Sequence, residues 1–352
     1  MRKGEKMKIL VGLSGGVDSS AAAAILKRDF EVCGVTLSLY CGDAVCRANT
    51  EKNIRDAAAV CSAMGLEHRV LHMEDEFKKY VIDGFIDDYI KGLTPNPCVR
   101  CNKNIKFGLM LDYALKNGFD KIATGHYATV EKSGGKYYLK KAKDVSKDQT
   151  YVLYNFTQEI LSRVEFPLGI YTKPECREIA EENGFVTAHK SDSQDICFIP
   201  SGDYGAFIEG VIGKYPSGDY LDVNGNVIGR HSGVIHYTVG QRKGLGIALG
   251  GRAFVISKNA ENNTVVLGTN EMLFKKRINI KDVNFITEPL CDGDTVYAKI
   301  RYSQHQAKAR FYSAENGAVL EFEEAQRAPT AGQSAVFYKD DYCLGGGIII
   351  KE

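Results

Sequence analysis

Ile9 to Leu13 form a short apolar run with polar or small residues on both sides. A run of that length reads as a buried strand. Ala21 to Lys27 follow as a helix former, with Ser19 or Ser20 as the expected N-cap. Glu31 to Leu39 is β-rich. Asn49 to Met64 places Ile54, Ala57, Ala58, Val60, Cys61 and Met64 at helical spacing and stops at Gly65. Glu67 to Leu71 predicts a third strand. Phe77, Val81, Phe85 and Tyr89 recur at fours, which predicts one helix from Phe77 to Ile90. A further helix is predicted over Ile105 to Asn117, ended by Gly118, and a strand over Lys121 to Thr124 that runs into Gly125-His126-Tyr127. Strands alternating with helices imply a doubly wound parallel sheet, an α/β fold. Ligands on such sheets lie at the carboxyl ends of the strands. The loop after Leu13, Leu37 and Thr124-Gly125-His126 all fall there, so they are expected around one ligand.

Gly134 to Lys141 reads as a hairpin arm with exposed cations, and Pro174 to Asn183 as a helix with Pro in its first turn and Gly184 after its end. From about residue 205 the pattern changes. Short β-rich pieces alternate with turns such as Asp222-Val223-Asn224-Gly225-Asn226, and long helical patterns disappear. The expected organisation is a first domain over 1–204, a small β-rich domain over 205–272, and a β-barrel over 277–352, with Phe274 to Arg277 as the join. Both later segments suit small barrels.

A length of 352 residues suits two or three domains. The net charge of +1 excludes a globally basic nucleic-acid binder, so an RNA partner needs local patches. No apolar stretch is long enough to span a membrane, and no export signal is read, so a cytoplasmic protein is expected. Ten cysteines in such a chain point to thiol chemistry or metal rather than structural disulfides.

The loop Ser14-Gly15-Gly16-Val17-Asp18-Ser19 is the first candidate site. Its glycines let the backbone approach a ligand, and the N–H groups of loop and helix start converge where the helix dipole is positive. No Gly-Lys-Ser/Thr follows, so it is not a Walker A loop. The order resembles the pyrophosphate loop of ATP pyrophosphatases, which split ATP between the α and β phosphates and transfer AMP to an oxygen. That resemblance implies Ser14, Gly15, Gly16 and Ser19 as diphosphate binders and Asp18 as a Mg²⁺ or reaction-centre carboxylate. A plain strand–turn–helix joint is the bland alternative.

Two cysteines stand out. Thr94 to Lys103 reads as a loop made rigid by Pro95 and Pro97, and Arg100, Lys103 and Lys106 put positive charge near Cys101, which favours its thiolate. Cys197 follows a polar segment, Asp192 to Asp195, and precedes an apolar anchor, Phe198-Ile199. Cys33, Cys61, Cys176 and Cys343 read as buried small hydrophobes. Cys41 and Cys46 lean the same way.

Seven motifs then occur in order: the loop above, Thr-Pro-Asn-Pro with Cys-Asn-Lys-x-Ile-Lys-Phe, Ala-Thr-Gly-His-Tyr, Lys-Asp-Gln, Asp-Ser with Ile-Cys-Phe-Ile, Gly-Gln-Arg-Lys-Gly-Leu-Gly, and Gly-Gln-Ser-Ala-Val-Phe-Tyr. Together they resemble the tRNA-specific 2-thiouridylase family, which thiolates the wobble uridine. The resemblance covers nearly the whole chain. It implies a pyrophosphate-loop ATPase domain, a small central domain and a C-terminal β-barrel. It implies ATP and Mg²⁺ as cofactors, with Gly12, Leu13, Ser14, Gly15, Gly16, Val17, Asp18, Ser19, Leu37 and Gly125 at the nucleotide. It implies a tRNA anticodon stem-loop as partner, met by Asn96, Pro97, Cys98, His126, Lys147, Asp148, Gln149, Arg301, Tyr302 and Gln333. Cys197 is implied as the persulfide carrier, fed by a sulfur carrier protein or sulfide donor, and Cys101 as its disulfide partner after sulfur release. The target base must be flipped out to reach such a site.

The chain departs from the family at Cys98, where Asp is common, and at Asp195, where Gly is usual. Cys98 creates a Cys-x-x-Cys with Cys101, so Cys98, Cys101 and Cys197 also form a candidate ligand set for a [4Fe–4S] cluster. The alternative is a spare thiol. Lys136, Lys140, Lys141 and Lys143 are either an RNA-binding face or a solvated hairpin. Arg242 and Lys243 are either an RNA contact or part of a turn. The remaining histidines show no metal spacing. A small-molecule adenylating ligase of the same superfamily shares the first motif but does not need Cys101 and Cys197.

Overall fold

The computed structural model describes residues 6–40, 42, 44–190, 196–247 and 251–351. Cys41 and the segment Asp192 to Asp195 lie outside them. The chain forms two compact units. The first takes Met1–Val81, Cys98–Phe198 and Asp340–Leu344, and the second takes Ile82–Pro97, Ile199–Lys339 and Gly345–Glu352.

In the first unit, β1 (Lys8–Gly12), β2 (Glu31–Ser38), β3 (His68–His72), β4 (Lys121–Thr124) and β7 (Val164–Glu165) make a parallel sheet in the order β3-β2-β1-β4-β7. The order reverses at β1, so the ligand crevice falls between the carboxyl ends of β1 and β4. Helix α1 (Val17–Leu26) packs its alanines against this sheet, where Ala21, Ala22 and Ala23 are fully buried. The hairpin is β5 (Thr129–Ser133) and β6 (Lys136–Lys140), and Tyr342 and Cys343 add to it opposite Lys140 and Leu139.

Three local expectations are corrected. The N-cap of α1 is Gly16, not a serine; Ser19 and Ser20 lie inside the first turn and donate their hydroxyls back to the Gly16 carbonyl. The helix expected over Phe77 to Ile90 is Glu74–Phe77, π-helical turns at Lys78–Ile82, then Asp83–Ile90. A four-residue period exceeds the 3.6 of an α-helix, and wider turns let Phe77, Val81, Phe85 and Tyr89 all be buried. The segment around Cys101 is not a loop. Pro97 occupies the first position of a helical turn, Pro97–Arg100, which continues through π-helical Cys101–Leu109 into Met110–Lys116. Cys98 and Cys101, three apart, therefore share a helix face.

After residue 198 the second unit resumes with a helix, Tyr204–Ile212, where no helical pattern is read in the sequence. Strands β8 (Gly218–Leu221), β9 (Val227–His231), β10 (Phe254–Asn259) and β11 (Thr264–Gly268) form a sheet in the order β10-β11-β8-β9. No pairing joins β10 to β9 among the described residues. Strands β12 (Phe274–Phe285), β13 (Thr295–Lys299), β14 (Ala307–Ala314), β15 (Gly317–Arg327), β16 (Ser334–Lys339) and β17 (Tyr342–Ile349) form a six-stranded barrel closed by β12 on β17. Alternate residues such as Ile278 and Ile280, or Ala318, Leu320 and Phe322, fill it.

Candidate active site: a phosphate loop beside three thiols

The end of β1, the loop and the start of α1 line a cavity of about 250 Å³ with the ends of β2 and β4. Gly12, Leu13, Ser14, Asp18, Ser19, Leu37 and Gly125 line it, together with His126 and Gln149. The loop is fixed from inside: Ser19 Oγ accepts from the Ser14 N–H at 3.1 Å, and Thr187 donates to Ser20 Oγ at 2.9 Å. Gly15 has φ +69°, and a Cβ there would stand 2.6 Å from the Asn53 carbonyl oxygen. Gly125 lets β4 end against α1, since a Cβ would stand 2.8 Å from both Asp18 C and Ser19 N.

Three residues that the sequence does not single out complete the loop. Lys190 donates to the Gly15 carbonyl, Asn53 Oδ1 and Asp56 at 2.8 to 2.9 Å. Lys173 donates to both oxygens of Asp18 at 2.8 Å, and the Tyr127 hydroxyl donates to Asp18 Oδ1 at 2.8 Å. Lys173 is the first residue of the helix Lys173–Glu182, and a lysine at a helix start carries no motif that reveals a partner 155 residues away. Burial, with Asp18 and Cys176 beside it, keeps the Tyr127 hydroxyl protonated. Asp18 is the one acid among the described lining residues, so it is the group there that suits Mg²⁺.

Cys98, Cys101 and Cys197 lie within reach of one another's charge, and Lys106, which lines the nucleotide cavity, acts on all three. All three are thiols in this structure. The expected thiolate at Cys101 is corrected. Burial pushes Cys101 up to about 11 and Cys197 up to about 12, and raises Cys98; the pull of Lys106 is smaller. Solvent touches Cys98 and Cys197, yet protein atoms crowd both sulfurs, and it is that lost hydration that sets the direction. Phe198 anchors the Cys197 segment edge-on against Phe77, 5.6 Å between ring centres. No group of three or more His, Cys, Asp or Glu is arranged to hold a metal ion among the described residues.

The residues expected at tRNA fall in varied settings. His126 is buried against Phe107 and Phe166, bonds Thr124 at 2.7 Å, and is kept neutral by burial and by Lys106. Asp148 is buried and accepts from Thr150 and the Ala142 N–H. Gln149 accepts from the Tyr127 N–H at 2.9 Å, and Lys147 is half-buried. Pro97 starts the helical turn described above, directly after Asn96. In the second unit, Gln333 donates to the Thr94 carbonyl at 2.7 Å, which fixes the chain two residues before Asn96. Arg301 donates to the carbonyls of Val239 and Ala328 and to Thr330, while Tyr302 is exposed beside Lys299. Arg242 and Lys243 are exposed. Lys140 and Lys143 pair with Glu131 and Glu175. Cys33, Cys61, Cys176 and Cys343 are buried.

A parallel sheet with a Ser-Gly-Gly-Val-Asp-Ser loop at its switch point defines a nucleotide-binding domain of the pyrophosphate-loop class. Three family models match in order: "tRNA methyl transferase HUP domain" over residues 7–201, "tRNA methyl transferase PRC-barrel domain" over 205–269, and "Aminomethyltransferase beta-barrel domain" over 275–349. The chain is 47% identical to the tRNA-specific 2-thiouridylase MnmA 1 of Clostridium botulinum, over 98% of this chain and 100% of that protein. It is 48% identical to the tRNA-specific 2-thiouridylase MnmA of Caldicellulosiruptor saccharolyticus, over 98% and 99%. The chain belongs to the tRNA-specific 2-thiouridylase family. Among solved structures, a U34-tRNA thiolase from Methanococcus maripaludis is a loose likeness, with 20% identity, a TM-score of 0.36, and 58% and 66% of the two chains covered.

Proposed function

We propose that the protein is a tRNA-uridine 2-sulfurtransferase that uses ATP to activate O2 of the wobble uridine and replaces that oxygen with sulfur. The observation that carries this reading is Lys106, a single cation that lines the phosphate-loop cavity and also acts on Cys98, Cys101 and Cys197. A nucleotide site alone suits any adenylating ligase; thiols coupled to it suit sulfur transfer, which is why the small-molecule ligase is the weaker reading.

Residues 1–204 act as the catalytic domain, with 205–272 and 277–352 serving RNA binding. The loop N–H groups and Ser14 and Ser19 hold the diphosphate of ATP, and Lys173 adds a positive charge beside Asp18. Mg²⁺, held by Asp18 and the phosphates, would supply further charge neutralisation. The uridine oxygen attacks the α phosphate and pyrophosphate leaves. A persulfide on Cys197 then attacks C2, the C2–O bond breaks, and AMP departs. Cys101 then attacks the Cys197 sulfur as its thiol gives up its proton, so a disulfide forms and the outer sulfur stays on C2. Cys101 and Cys197 are thus catalytic, with Cys98 beside them. Their raised pKa values keep the resting thiols protonated and inert, so the reaction waits for the more acidic persulfide. Gln333 and Arg301 support the RNA face by holding Thr94 and the barrel edge. The sulfur donor is a carrier protein or sulfide source, and the setting is the cytoplasm; among the described residues no helix is long and apolar enough to cross a membrane.

The experiment is mass spectrometry of nucleosides from unmodified tRNA incubated with the protein, ATP and a persulfide donor. The expected product is 2-thiouridine at the wobble position with AMP formed alongside. AMP formation on a small molecule with unchanged tRNA would favour the ligase.

A further inference from the structure

Within the second unit lies a cavity of about 440 Å³ that the reaction above does not use. Lys258, Lys275, Arg277 and Lys351 line it, and among the described residues no aspartate or glutamate does. In a chain of net charge +1, four cations around one cavity without an acid mark a local anion preference. Lys258 is the buried one of the four, at 7% exposure. It donates to the Tyr237 carbonyl at 2.6 Å and lies 5.7 Å over the Tyr89 ring. One carbonyl and one ring face do not neutralise a buried ammonium, which normally takes a carboxylate partner. Burial and the charge of Lys351 pull Lys258 down to about 7, and the charge of an arriving anion would oppose that shift. Ser257, Asn259 and Asn279 also line the cavity and supply neutral hydrogen-bonding groups.

We infer that this cavity is a phosphate site, in which Lys258 and Lys351 grip one phosphate group while exposed Lys275 and Arg277 draw it in. The group is a phosphodiester of bound RNA or a free phosphate. Position favours RNA: Val239, Ala328 and Thr330 line the cavity and are the groups that hold Arg301. The RNA assignment rests on the tRNA reading above; the phosphate site itself does not.

The test compares wild type with Lys258→Met, and with Lys275→Met/Arg277→Met, whose exposed positions leave folding intact. Unmodified tRNA affinity is measured across a salt series, and inorganic phosphate is titrated by calorimetry. For an RNA phosphate, both variants bind tRNA more weakly, and the slope of log K against log salt falls by roughly 0.7 to 0.9 per lost contact. For free phosphate, wild type gives a binding heat that Lys258→Met lacks, with the tRNA slope unchanged. Unchanged tRNA slopes together with no phosphate heat would overturn the proposal. A wild-type protein that binds phosphate here but forms no 2-thiouridine would instead sink the functional reading and leave this site standing.

Discussion

Gly125→Ala tests the geometry of the nucleotide site through a single methyl group. A Cβ at this position stands 2.8 Å from Asp18 C and from Ser19 N, and 3.1 Å from the Asp18 carbonyl oxygen. All three atoms are backbone in the first turn of α1, so no side chain can swing away. Optimal carbon contact is roughly 3.5 Å, so β4 and α1 must separate by about 0.7 Å. Overpacking of this kind costs about 1–3 kcal/mol, which lowers the melting temperature of a unit this size by roughly 2–12 °C. The larger effect is on chemistry. The same turn carries Asp18 and the loop that receives phosphates, and a misplacement approaching 1 Å costs on the order of 100-fold in rate. Calorimetric melting and AMP release measured with saturating tRNA read the two effects separately. A variant that melts with wild type and forms AMP at the wild-type rate would refute the claim that the close approach of β4 and α1 builds the site.

Asp18→Asn keeps the hydrogen bond from Tyr127 but loses the charge held by Lys173; AMP formation is expected to vanish while tRNA affinity, measured by filter binding, stays within about twofold. Alkylation of Cys101 and Cys197 by iodoacetamide should rise about tenfold per pH unit from pH 7 to at least pH 10, because burial holds both thiols protonated up to about 11 and about 12. Lys106→Met removes a cation that pulls them down and should slow alkylation further; a plateau below pH 8 would contradict the assignment. Cys197→Ser should accept no persulfide sulfur in a radiolabel transfer assay, whereas Cys101→Ser should accept it and form no 2-thiouridine. Iron-free protein should be fully active with a persulfide donor; iron and labile sulfide in anaerobically purified protein, lost in Cys98→Ser, would replace the persulfide route by a cluster.

The sheet, the loop and the strand ends around it were legible because each rests on local pattern. Ile9 to Leu13, Leu37 and Thr124-Gly125-His126 fall where a doubly wound sheet puts its ligand, and all three sites line one cavity. The π-helical turns were legible only as an odd period, four instead of 3.6, whose meaning depends on the partner surface. Lys173, Lys190 and Tyr127 were not legible. Each meets the phosphate loop or Asp18 across more than 100 residues of chain, and no spacing rule covers such pairs. The thiol at Cys101 was misread for a related reason. Its charged neighbours are visible in sequence, but the burial that outweighs them is not.

The measurement that bears most directly on the central claim follows the oxygen that leaves uridine. Unmodified tRNA carrying heavy oxygen at O2 of the wobble uridine is incubated with the protein, ATP and a persulfide donor. Adenylation of that oxygen predicts that one heavy oxygen appears in each AMP, in step with 2-thiouridine. Unlabelled AMP formed alongside 2-thiouridine would contradict activation through the uridine oxygen.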